Sequence, residues 1–66
     1  MNELEKLKVL LPHWMGHNNE HAESYRDWAE KASSLGNKEL SKILFSLSHE
    51  TEKLNELFEE AMKKIS

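Results

Sequence analysis

Cysteine is missing from this 66-residue chain, proline occurs once, glycine twice, and aromatic residues make up only 8%. The missing cysteine excludes disulfides, thiolate metal sites and thiol catalysis. With one Pro and two Gly, punctuation is sparse, and it falls where helix boundaries are expected. No apolar run approaches the ~20 residues that a membrane span needs, and the chain does not begin with the charged-then-apolar pattern of a secretory signal. A cytoplasmic protein is the expectation. An excess of positive charge is lacking too: 9 Lys and Arg stand against 12 Asp and Glu, a formal charge of -3, with both signs scattered along the chain. Nucleic-acid binding needs a basic face to neutralise phosphates, and none is present.

What remains is 38% hydrophobic and 32% charged residues, the balance of one small helical domain over residues 1–66. A chain of this length buries only ~60% of the surface its unfolded form exposes. Stability must then come from efficient helix packing, a metal or a partner subunit. Few enzymes are this short, and no nucleophile constellation or cleft-forming second layer is visible, so catalysis is not expected.

Apolar residues recur at helical spacing. Between Pro12 and Leu35 the positions Trp14, Asn18, His21, Tyr25, Trp28, Ala32 and Leu35 alternate steps of four and three, thickened by Met15, Ala22 and Ala29. Beyond Gly36 the pattern resumes as Leu40, Ile43, Leu44, Leu47, Thr51, Leu54, Phe58, Ala61, Met62 and Ile65. This is a helical period, not a strand period, and it predicts helices over about 12–35 and 37–65. Gly36 can take the left-handed conformation that ends the first, and Asn37 can cap the second. A two-residue turn then makes the pair an antiparallel hairpin. Glu59 with Lys63 and Glu60 with Lys64 support the last turns as i,i+4 pairs. Asn2 and Glu5 have capping-box spacing, and Leu4, Leu7 and Leu11 continue the apolar period. Pro12 disfavours helical geometry at Leu11, which predicts a separate short helix over about 3–10 and then a break or kink.

Two helices ~35 to 45 Å long have more apolar surface than an isolated pair easily shields. If Leu40, Leu47 and Phe58 face inward, Phe45 stands about 140° away and His49 about opposite. Phe45 therefore needs cover from the N-terminal segment, with Leu4 and Leu7, or from a second chain. A homodimeric four-helix bundle is the expected assembly.

Three of the four histidines are clustered. His13, His17 and His21 are spaced i, i+4, i+8, one column on a helix with neighbouring imidazoles close enough to share a metal ion. Neutral imidazole suits zinc, nickel, cobalt or copper. His21 falls on the predicted inward stripe and His17 beside it, which makes them the better pair. In a hairpin turning at Gly36 and Asn37, His21 comes level with Thr51 and Glu52, and Glu50 at the edge of the inward face is the candidate third ligand. His13 and His49 are further candidates, His49 only through a dimer or the N-terminal segment. The run His17 to His21 also matches H-x-x-E-H, the inverted zinc-protease motif, but such enzymes need a cleft and a further carboxylate ligand on a larger scaffold. The structural alternative is a buried His21 hydrogen-bonded to Asn18 or across the hairpin, with His13 and His17 merely exposed. Trp14, Tyr25 and Trp28 read as core aromatic packing, and Glu52, Glu56 and Glu60 as a solvated face.

The stretch from Val9 to Ala32, about a third of the chain, resembles a family of small archaeal and bacterial domains with the form L-L-P-H-W-x-x-H-N-x-x-H-A-x-x-[FY]-x-x-W-A. Leu10, Leu11, Pro12, His13, Trp14, His17, Asn18, His21, Ala22, Tyr25, Trp28 and Ala29 carry the likeness, and Gly16 stands where similar sequences carry a larger polar residue. The resemblance implies a short helical domain, standing alone or attached to proteins linked with metal handling, and points to His13, His17 and His21. Two readings follow: a small non-catalytic protein that binds a divalent transition metal through its histidine column, or a structural module whose helices recognise a protein partner.

Overall fold

The computed structural model describes residues 2–66, all of it helix and short connections. Asn2 opens α1 (Glu3–Ser34): its side-chain oxygen accepts from the Glu5 N–H at 2.8 Å, and Glu3 and Glu5 place negative charge at the positive end of the helix dipole. The helix stops at Leu35 in a Schellman arrangement. The Asn37 N–H donates to the Ala32 carbonyl at 2.9 Å and the Gly36 N–H to the Ser33 carbonyl at 3.0 Å, which requires Gly36 to take a φ of 88°. Asn37 then caps α2 (Lys38–Lys53) by accepting from the Leu40 N–H at 3.1 Å. The final helix, α3 (Asn55–Ile65), follows after the single residue Leu54. The result is an antiparallel hairpin, α1 against the bent rod of α2 and α3, measuring 51 × 17 × 11 Å.

The predicted break at Pro12 is absent. Residues 3–10 form no separate helix: α1 runs unbroken from Glu3 to Ser34 with Pro12 inside it. Pro12 lacks the N–H that would bond the Lys8 carbonyl, and its ring crowds that carbonyl, a cost of ~3 kcal/mol in a helix interior. Packing outweighs the local preference. Leu11, immediately before Pro12, is buried in a groove with Leu54, Leu57, Phe58 and Ala61 of the opposite rod, a contact that the helical continuation preserves. The break occurs instead in the second rod, where no glycine or proline stands. The Leu54 N–H bonds the Thr51 carbonyl at 3.2 Å, and the Asn18 amide inserts across the hairpin to bond the same carbonyl at 2.7 Å. A side chain entering the helical ladder is a recognised cause of a bend. Thr51 adds to it by donating its hydroxyl to the Leu47 carbonyl at 2.7 Å.

The seam between the rods also differs from the predicted one. On α1 it runs Leu11, Met15, Asn18, Ala22, Tyr25, Ala29, Ala32, and on α2 and α3 Ser41, Leu44, Ser48, Thr51, Asn55, Phe58, Met62, Ile65, each shielded from solvent and each set in alternating steps of three and four. Trp14, at 43% exposed, and Trp28, at 58%, are not core aromatics, and His21 is exposed, not inward. Small residues occupy the centre of the seam. Ser41 donates its hydroxyl to the Ala29 carbonyl at 2.8 Å and Ser48 to the Ala22 carbonyl at 2.6 Å, bonds that form only where backbones approach closely. The larger apolar residues of each stripe are thereby displaced to one side. The register differs as well: the Ser41–Ala29 and Ser48–Ala22 bonds put Ala22 level with about Ser48 and His21 with about His49, not with Thr51 and Glu52.

Candidate functional site

Residues one position before the seam share a flank of each rod. On α1 and its cap these are Leu7, Trp14, His21, Trp28 and Leu35, and on the other rod Leu40, Leu47, Leu54 and Ala61, all at seven-residue intervals. Antiparallel pairing brings the two rows to the same broad side of the hairpin. Trp14 shares a groove of about 300 Å³ with Leu54 and Ala61, and Trp28 with Leu35 and Leu40 share another further along. Leu40, Leu47 and Leu54 are each between 43% and 46% exposed, and Ile43 and Leu57 at the margin are more so. The opposite side is polar. There Arg26 pairs with Glu52 at 2.7 Å, Lys38 donates to the Ser33 hydroxyl at 2.7 Å, and the Asn55 amide donates to Asn19. Phe45, seven residues before Glu52, is exposed on that polar side, apart from the apolar rows. Leu4 is exposed near the start of α1, and Leu7 is half-buried at the end of the apolar row.

The histidines border this apolar side. His13, His17 and His21 line one open groove with Trp14, Asn18 and Phe58. The closest imidazoles are His13 and His17, with ring centroids 4.5 Å apart and planes tilted by 53°. His21 instead stacks on Tyr25 at 6.1 Å, so the structure brings His17 to His13 where the predicted inward stripe favoured His21. Glu50 is exposed beyond the Leu47–Leu54 row and pairs with Lys53 at 3.5 Å. His49 is exposed at the height of His21 but does not line its groove. Among the described residues, no group of three or more His, Cys, Asp or Glu side chains is placed to hold a metal ion. His13 and His17 bring two imidazoles together, short of the four donors of a closed tetrahedral site.

A half-buried polar network crosses the hairpin, but no histidine belongs to it. Asn18 donates to the Thr51 carbonyl and, at 3.1 Å, to the Asn55 side chain, which continues to Asn19. This cluster, with Ser41 and Ser48, is what the sequence reading missed. Its signal was present: Ala22 and Ala29 on one helix and Ser41 and Ser48 on the other are small residues seven apart, the pattern that lets two helices approach closely. Among the described residues no helix is long and apolar enough to cross a membrane.

No curated protein and no solved structure matches the chain. A family model described as "Domain of unknown function (DUF8180)" matches residues 7–65, from the first leucine of the apolar row to the last residue of α3. The match takes in the whole hairpin, its seam, the histidine groove and the open apolar side, and the chain belongs to that family.

Proposed function

We propose that this protein is a small, non-enzymatic helical interaction module that works by covering its apolar side with another helical surface, in the first place a second copy, which completes a four-helix bundle. One observation carries this reading: Trp14, Trp28, Leu40, Leu47 and Leu54 are open to solvent on the same side of a ribbon only 11 Å thick. Contiguous apolar area of this kind marks interaction sites in soluble proteins. The interior supports it from the other direction. Among the described residues the fully buried hydrophobics are Leu11 and three alanines, and a buried alanine methyl contributes about 0.8 kcal/mol where a leucine contributes ~1.5–3. Sedimentation equilibrium tests the reading. Self-association is expected, and Leu47→Glu, at an exposed helical position, should abolish it while the helical circular dichroism persists. A monomer at high concentration would sink the proposal, and loss of association on Phe45→Asp with Leu47→Glu inert would move the contact to the opposite side.

The 4.5 Å approach of His13 and His17 favours a second reading, non-catalytic binding of one divalent transition metal (zinc, nickel, cobalt or copper) in the histidine groove, with His21 nearby. Glu50 and His49 stand outside that groove and would reach the ion only from another chain. Calorimetric titration of metal-free protein decides it: sub-micromolar binding, lost in His13→Ala/His17→Ala, is expected. Binding only at millimolar metal would remove this reading.

A further inference from the structure

The apolar row of α1 is its own mirror. Read in either direction it is Leu7, Trp14, His21, Trp28, Leu35, with His21 at the centre. The row on the other rod is Leu40, Leu47, Leu54, Ala61, centred between Leu47 and Leu54. The Ser48–Ala22 hydrogen bond puts His21 level with His49, so the two centres differ by about one and a half residues, roughly 2 Å at the helical rise of 1.5 Å. Both rows therefore share nearly one midpoint, although they belong to different helices.

From this self-complementarity we infer that the occupant of the apolar side is a second copy of this chain, laid face to face and antiparallel about a two-fold axis through His21. The inference rests on the interaction reading above and deepens it by naming the partner's orientation. About that axis Trp14 meets the partner's Trp28, Leu7 the partner's Leu35, Leu47 the partner's Leu54 and Leu40 the partner's Ala61, a large residue against a small one. The two loops lie at opposite ends, and the two His21 imidazoles meet on the axis. Such a contact is isologous, as a closed two-fold dimer requires. The size fits as well: a face of 51 × 17 Å is comparable to the ~800 Å² that each partner contributes to a standard stable interface.

The absence of cysteine makes the test clean. His21→Cys, at an exposed position, should form a disulfide-linked dimer under a mild oxidant, because residue 21 faces its own copy. An equal mixture of Trp14→Cys and Trp28→Cys chains should cross-link in the mixed pair in preference to either like pair. Arg26→Cys, on the polar side, should remain monomeric on denaturing gels. Sedimentation of the unaltered protein accompanies these variants. Association without a His21→Cys cross-link, or with like pairs linked as well as the mixed pair, overturns the antiparallel two-fold and leaves the interaction reading standing. Absence of association in the unaltered protein removes both.

Discussion

The two glycines have opposite roles. At Gly36 the φ of 88° terminates α1, and a Cβ there would meet nothing within 4 Å; the penalty for Gly36→Ala is then conformational, about 1–2 kcal/mol. Gly16 lies within α1 in equally open space, and Gly16→Ala should stabilise by up to ~1 kcal/mol through helix propensity and reduced freedom of the unfolded chain. Urea unfolding of the two variants should shift the midpoint in opposite directions with an unchanged slope. Both caps were legible at this scale, because Asn2 and Asn37 act on amides three residues ahead and need nothing from the rest of the fold. The Arg26–Glu52 pair was not, since it joins residues from different helices. With both side chains about half exposed, its contribution is small, under ~1 kcal/mol.

Among the elements, the small-residue seam decides how the rods meet. Ser48 is 1% exposed and hydrogen-bonded to α1, so Ser48→Leu has no room and should destabilise by about 1–3 kcal/mol through overpacking. Thermal unfolding followed by circular dichroism measures this, and an unchanged midpoint would mean that the rods separate freely. The helical period of each rod was readable from its own residues. Its phase was not: a stripe drawn through the largest apolar side chains includes Trp14, Trp28, Leu40 and Leu47, which belong to the open side, whereas the hairpin closes on Ala and Ser. Pro12 and Leu54 show the same limit. Local rules place a break at the proline, but α1 continues through it with Leu11 buried, and the interruption falls where Asn18 reaches the Thr51 carbonyl from the other helix.

For the whole molecule, a thin ribbon whose fully buried hydrophobics among the described residues are one leucine and three alanines would gain further apolar burial from a second copy on its open side. Stability should then depend on concentration. If folding is coupled to dimerisation, the Tm must rise as protein concentration rises, and tryptophan emission should shift to shorter wavelength over the same range as Trp14 and Trp28 leave water. A Tm that stays constant over a hundredfold range of concentration would argue against the coupling.

Residue spacing alone was enough for the class of fold, the hairpin, the position of its turn, both asparagine caps and the nearness of His13, His17 and His21, because each follows from spacing within one helix or from backbone chemistry over a few residues. Packing between the two rods set the seam, the bend at Leu54, the continuity of α1 through Pro12, and the place of Glu50 outside the histidine groove. Those depend on how closely two rods approach and on which side each presents, energies of packing between residues far apart in the chain that no local period records.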